Sequence, residues 1–331
     1  MTSETDSYEF KISGFKEGVV SVLDIDYFEN IFCSLGGWEK RYRGAVAQEQ
    51  LGVWQLPDHV QAEESLIGNV NEPTGQMRLI KFFSDDERFV QHHMRPDAQC
   101  WDTGGIHSLS MRVKDLKDTR HKFHALGWQS YSATNTYRFL DIASDEWVPR
   151  GPNGMNCSFV ERLTPALTCW PHLKKFSRIF NSSQIVRDID VSYKFYTEVL
   201  GFKQYAEHTG ALAEAGPNPL GLPYNMANTE VHYMRILHPD AVCDGSVEIL
   251  SFDTFKGADF SEETHFPNLG TGALRFPVKN IEALFTRVKE HKATVISPLK
   301  AVPIQPYGNC NSFIISSPDG AWLEFYEEVA G

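Results

Sequence analysis

"SQIVRDIDVSYKFYTEVLGFKQY", residues 183–205, reads as one strand and one helix joined by a tight cap. Alternation up to Val186 suits a half-buried strand, because successive side chains point to opposite faces. Asp188, two residues on, is a good N-cap: its carboxylate accepts a backbone N–H that the first helical turn leaves unpaired. Ile189, Tyr193, Tyr196 and Leu200 then recur at three- and four-residue spacing, the period of one helix face. Leu200-Gly201 ends the helix, since glycine best suits the left-handed backbone found there.

The same plan occurs three more times, in "VVSVLDIDYFENIFCSLGGWEKR" (19–41), "LSMRVKDLKDTRHKFHALGWQSY" (109–131) and "LRFPVKNIEALFTRVKEHKATVI" (274–296). The strand-ending valines are Val22, Val113 and Val278, and the caps are Asp24, Asp115 and Asn280. Two of these helices stop at Leu35-Gly36 and Leu126-Gly127; the last ends at Glu290-His291-Lys292 without glycine. Short strand candidates follow each helix: "LIGNV" and "QMRLIKF", "TYRFLDI" and "NCSFVER", "EVHYMRIL" and "SVEILSF", "SFIISS" and "AWLEFYE". Asp24 lies 164 residues from Asp188 and Asp115 lies 165 from Asn280, so a pair of modules is itself doubled. The join falls at "RLTPALTCWPHLKKF" (162–176), where prolines break the pattern. The expected class is α+β, with a pair of modules over 1–165 and a second pair over 166–331.

Composition narrows the function. The 331 residues carry 31 Lys and Arg against 43 Asp and Glu, a net of −12 without a basic cluster, which argues against nucleic acid and anionic membranes as partners. The polar, acidic start "MTSETDSYEF" lacks a signal peptide's basic and apolar regions, and no apolar run reaches membrane-spanning length. Cys33, Cys100, Cys157, Cys169, Cys243 and Cys310 form no CxxC pair and read as reduced thiols of a cytoplasmic protein. With 22 Phe, 12 Tyr and 7 Trp, aromatic side chains are expected both in the core and along a cavity for an apolar or aromatic ligand.

A βαβββ module used in pairs resembles the unit of the vicinal oxygen chelate superfamily, which includes glyoxalase I, bleomycin-resistance proteins and type I extradiol dioxygenases. "FNSSQIVRDIDVSYKFYTEVLGF" is similar to a module's first strand and helix, and "NSFIISSPDGAWLEFYE" to its last hairpin. "VVSVLDIDYFENIF" and "GIHSLSMRVKDLKD" match more loosely. The resemblance implies two pairs of modules, each an open, curved, barrel-like sheet with helices outside. It also implies a divalent metal (Fe, Mn, Ni or Zn), held by His and Glu from first and last strands, that acts on adjacent oxygens of a small substrate. Whether modules pair 1+2 and 3+4 within the chain or across a homodimer is left open.

Glu324 and Glu248 occupy the last-strand positions of the fourth and third modules. The first-strand positions, five residues before each valine, hold Glu17, Ser108, Asn181 and Ala273, and none is His; His107 is one residue off and faces away unless a bulge brings it back. Arg78 and Ser158 stand at the other last-strand positions, so the N-terminal pair reads as degenerate and the C-terminal pair as the candidate active site. Glu248 and Glu324 read either as metal ligands or an acid–base pair facing one cavity, or as structural carboxylates paired with a buried Arg or Lys. His232, grouped by alternation with Met234 and Ile236, is a third ligand, a general base or a core residue. Asn181 either binds a substrate carbonyl or caps a turn.

Three weaker features are His92 and His93 in a Pro-containing loop, His121 and His124 on a charged helix face, and the Gly- and Pro-rich loop 210–230, a lid or a surface insertion. No G-x-S-x-G, P-loop, G-x-G-x-x-G or H-E-x-x-H is present. The expected function is a lyase, isomerase or oxygenase acting on a small oxygen-rich or aromatic molecule. The alternative is a metal-free protein of the bleomycin-resistance type that sequesters such a molecule.

Overall fold

The structure, a computed structural model, describes residues 8–96, 99–168 and 170–329. The acidic start through residue 7 and Cys169 lie outside them. All four expected caps form: Asp24 accepts from the Tyr27 N–H, Asp115 from Asp118, Asp188 from Asp190 and Val191, and Asn280 from Ala283. The helices of modules 2 and 4 are α throughout (Leu116–Ala125, Ile281–Glu290). Those of modules 1 and 3 begin as α (Ile25–Glu29, Ile189–Lys194) and widen into π turns (Asn30–Leu35, Phe195–Val199), a second mark of the nested duplication. Gly127 and Gly201 take the expected left-handed conformation. In module 1 it is Gly37, φ 77°, not Gly36, φ −83°, and in module 4 Lys292 makes that turn at φ 55°. No helix among the described residues is long and apolar enough to cross a membrane.

Each module has three strands after its helix. The first of these was not expected in modules 1, 3 and 4 (Trp38–Ala45, Lys203–Gly210, Thr294–Ile304). They are sheet-edge strands with much of their surface exposed, so they lack the clean apolar alternation of the inner ones. "TYRFLDI" is a hairpin rather than a strand: Asn135–Phe139 and Ile142–Trp147 flank a turn in which Leu140 sits at φ 56°.

The strands form two large sheets. In sequence order of modules, one sheet joins module 4 to module 1 and the other joins module 3 to module 2. The joints are antiparallel contacts between first strands: Gly270–Lys279 against Glu17–Ser21, and Phe176–Ile185 against Ser108–Val113. This corrects the expected division at residue 165. The short link 165–175 keeps modules 2 and 3 side by side, Lys114 N–H donating to the Lys175 carbonyl at 3.1 Å. The longer segments 84–107 and 253–269 cross between the sheets beside each other, bonded through Met94 and Leu269 and through Thr103 with Ala258 and Phe260. Both sheets are completed within one chain.

The sheets meet back to back. Leu109 of one presses so closely on Gly18 of the other that a Cβ on Gly18 would lie 2.8 Å from its Cδ1 and would push the leucine side chain aside. Helix aromatics seal this core, with Phe28 edge-on to Trp128 and the Trp128 indole donating to the Tyr27 hydroxyl. The opposite, concave faces differ. Over the module 1–4 sheet, the inserted helix Gln48–Val53 and the following Trp54 plug the hollow, with Phe82, Phe266 and Trp322 packed around the indole ring.

Beneath that plug lies an ion network. Arg78 is bidentate to Glu17 (2.7 and 2.9 Å) and reaches Glu64 (2.8 Å); Arg275 bridges Glu17 and Glu324, each at 3.0 Å. Gln50 and Trp54 donate to Glu324, and the Tyr307 hydroxyl to Glu17. Glu17, Arg78, Arg275 and Glu324 are all fully buried. Burial pushes the Glu17 carboxyl up, but the Arg78 and Arg275 charges more than reverse this and hold it at about 2.

Replacing Arg275 with methionine keeps the bulk and leaves two buried carboxylates short of a partner, which is expected to lower stability by about 3–5 kcal/mol at pH 7 in urea unfolding. Glu17 has a depressed folded value, so its contribution is complete above its ordinary pKa of 4.5 and is lost as pH falls toward 2. The Arg275→Met defect should therefore narrow across that window; a constant defect would assign it to packing instead.

Candidate active site

The module 2–3 sheet keeps its hollow. Along Ser108–Val113, Leu109, Met111 and Val113 point into the shared core while Ser108, Ser110 and Arg112 face a cavity of about 490 Å³. The last strand of module 2, Cys157–Thr164, turns Ser158, Val160 and Arg162 the same way. Module 3 adds Asn181, Ser183, Glu248 and the alternating row His232, Met234 and Ile236. Leu212, Pro219 and Leu220 of the loop 211–231 also line it, and the loop is tied down where the Asn218 N–H donates to Ser132 Oγ at 2.9 Å.

The two sheets place side chains at equivalent positions, which allows them to be compared one for one. Glu17 faces Arg275 across one joint as Ser108 faces Ser183 across the other. Arg275 lies beside Glu324 as Ser183 lies beside Glu248, and Arg78 takes the place of Ser158. Glu64 matches Glu146, each one strand further out. Both sheets therefore carry the carboxylate pair, but where one sheet sets guanidinium groups against it the other sets serines.

The consequence is electrostatic. Ser183 Oγ donates to Glu248 at 3.0 Å, and Ser158 Oγ and the Tyr137 hydroxyl bond Glu146. Neither carboxylate has an ion-pair partner within 4 Å among the described residues. Burial, reinforced by the charge of Glu146, pushes Glu248 up to about 7, and burial raises Glu146 as well. A carboxyl that exchanges its proton near neutral pH, held in a cavity by a serine, is suited to proton transfer.

Of the residues singled out from sequence, Glu248, His232 and Asn181 line this cavity. Glu324 does not: it is the carboxylate of the Arg275 ion pair in the other sheet, so it and Glu248 face no common space. The carboxylate opposite Glu248's role is instead Glu146. His232 stacks 4.9 Å from His208 and is pushed down to about 4 by burial and that neighbour, so it is neutral at pH 7. Asn181 Nδ2 donates to Ser246 Oγ at 2.9 Å. His107, expected to face away, lies just before the strand begins and so escapes its alternation; it lines the cavity, neutral, pushed down to about 3 by burial and by Arg95 and Arg150. His92 and His93 belong to the crossover 84–107, and His121 and His124 lie on the exposed helix face.

Glu146, Ser183 and Arg112 were missed. The first strands of modules 3 and 4 carry register shifts near residues 180 and 272, so the facing residues are Ser183 and Arg275 rather than Asn181 and Leu274. The polar run "SDEW" inside a strand is the one sequence signal that points to Glu146.

The family resemblance implies a divalent metal at these first- and last-strand positions. The donors do not fit one. In one sheet they are two carboxylates already bound by two guanidinium groups; in the other they are three neutral hydroxyls and a single carboxylate. Among the described residues no three of His, Cys, Asp and Glu stand close enough together to share an ion.

Residues 177–325 match the sequence model of the Glyoxalase/Bleomycin resistance protein/Dioxygenase superfamily. No curated protein matches the chain. Glyoxalase I from Zea mays superposes over 96% of this chain and 93% of its own, with TM-score 0.58 at 11% identity. A putative dioxygenase from Bacillus subtilis superposes over 97% of this chain and 87% of its own, with TM-score 0.56 at 11% identity. At such identities the likeness is one of fold. The second half of the chain thus carries the sequence pattern of that superfamily, and the whole length, built from four modules, shares the fold of these structures.

Proposed function

We propose that the cavity of the module 2–3 sheet is the active site of a proton-transfer enzyme, an isomerase or lyase, acting on a small aromatic or oxygen-rich molecule. The observation that carries this reading is the pair Glu248 and Glu146: two carboxyls in one hollow, each held by a serine and neither in an ion pair among the described residues. Ionised Glu248 takes the proton from a carbon next to a substrate carbonyl. The electron pair left behind moves onto the carbonyl oxygen, where the Ser108 and Ser110 hydroxyls are placed to donate to it. Glu248, now protonated, returns that proton at the neighbouring atom, while the charge of Glu146, held by Ser158 and Tyr137, strengthens its hold on the proton. The neutral imidazoles of His107 and His232 add polar, uncharged walls. Because the donor set does not suit a metal, no step is assigned to one.

A second reading, sequestration without chemistry, is favoured by the many apolar residues of the cavity, among them Phe180, Ile185 and Leu250.

Hydrogen–deuterium exchange at the acidic C–H of aryl ketones such as phenylacetone, followed by NMR, separates the two. The enzyme reading expects catalysed exchange that survives chelator treatment and falls by about 10²–10⁴-fold in Glu248→Gln. Ligand-induced shifts with no catalysed exchange anywhere in a panel of ketones, 2-hydroxyketones and 2-oxo acids would favour sequestration.

The rate should rise with pH through about 7 as Glu248 ionises, and Glu146→Gln, by removing the neighbouring charge, should move that midpoint to lower pH. Stability supplies an independent check. Glu248 has a raised folded value, so ionising it costs the native state stability that disappears as pH rises from 4.5 through 7. Glu248→Gln should match the wild type below pH 4.5 and exceed it at pH 8 by about 1–3 kcal/mol in urea unfolding. Equal stability at both pH values would show that the carboxyl titrates normally.

A further inference from the structure

Arg112 and Arg162 line the cavity, and neither forms an ion pair among the described residues. Arg112 is buried, its guanidinium carbon lying 4.5 Å over the Phe180 ring, and its Nε has no hydrogen-bond partner. Arg162 lies on the adjacent strand, two residues past Val160, which Arg112 faces, and its buried Nε is likewise unpartnered. Neither has a carboxylate within 4 Å among the described residues. Other buried or half-buried arginines of the chain meet carboxylates, although Arg95 is held by the backbone carbonyls of Asp102 and Gly104 alone. Arg78 and Arg275 of the plugged sheet hold carboxylates, and Arg178, at the rim of this cavity, holds Glu72 and Asp244. A buried guanidinium without a counter-charge is an unfavourable arrangement unless something else supplies the charge. Glu146 is near but engaged with Ser158 and Tyr137.

The support around Arg112 orients it. Phe180 stands edge-on to Trp170 at 5.8 Å, and Arg178 lies 4.1 Å over the Trp170 ring, giving a stacked wall of cation, ring, ring and cation. A guanidinium fixed by one face presents its N–H edge, the geometry that binds a planar or tetrahedral oxyanion with two hydrogen bonds. Val160 stands between Arg112 and Glu146 across the strands, and Ile142, Ile236 and Leu250 add apolar wall to the cavity.

We infer that the cavity takes an anionic ligand, a small apolar or aromatic molecule ending in a carboxylate or phosphonate, whose charged end sits on Arg112 and Arg162. This assignment rests on the reading of the same cavity as the functional site, and it adds the charge class of the substrate. The anion holds one end of the molecule, and the apolar wall of Val160, Ile236 and Leu250 takes the rest.

Calorimetric titration of the full chain at pH 7 with phenylacetate, phenylphosphonate and the neutral methyl phenylacetate tests it. At least one of the two acids should bind about tenfold or more tightly than the ester. That preference should vanish in Arg112→Met, persist in part in Arg112→Lys, and survive in Glu248→Gln. If Arg112→Met does not fold, Arg162→Met carries the same comparison. Equal affinity for acid and ester, a preference that outlasts loss of both arginines, or no binding of either acid at millimolar concentration would each overturn the inference. Anion preference without any catalysed proton exchange would sink the enzyme reading and leave the anion site standing. Exchange on neutral ketones with no anion preference would do the reverse.

Discussion

The buried contact between Glu17 and Arg275 joins the first strand of the chain's first module to that of its last. Charges taken so far from water are tolerable only when every one is met, and here Arg78, Glu64, Glu324, Gln50, Trp54 and Tyr307 complete the set. The network commits one of the two hollows to structure. It also places modules 1 and 4 in one sheet, which leaves modules 2 and 3 to form the other and to carry the open cavity.

One scaffold thus serves opposite ends through few substitutions of type. Both sheets bring a last-strand glutamate and a glutamate from the next strand toward the joint. Where arginines oppose them the carboxylates become part of a salt-bridged core under a tryptophan plug. Where serines stand in the same places, the acids keep hydrogen bonds but lack counter-charges, and burial then drives them toward neutrality. The arginines of the second sheet stand instead at Arg112 and Arg162, where they line the same cavity without pairing with Glu248 or Glu146.

Much of the fold was legible. Caps at Asp24, Asp115, Asp188 and Asn280 and the valine two residues before each depend on local geometry, and the structure has all four. The site was legible in part. Glu248 and Asn181 were singled out by their places in the module's last and first strands and His232 by strand alternation, and all three line one cavity. Glu324 has the same local signature as Glu248, and nothing in its neighbourhood of sequence distinguishes them. The distinction lies in Arg275, which a one-residue register shift moves to the position facing Glu17 in place of Leu274.

The sequence by itself determined the repeated module, the helix ends and the alternation that gives each strand an inner and an outer face, because those follow from hydrogen bonding and side-chain direction within a few residues. Tertiary structure alone decided which modules share a sheet, since that depends on the crossovers 84–107 and 253–269 running together. It also decided which hollow is filled, because the helix Gln48–Val53 folds over one sheet only. And it decided which glutamate meets a guanidinium, because a carboxylate's ionisation is set by partners that lie tens to hundreds of residues away: 49 for Glu324 and Arg275, 258 for Glu17 and Arg275.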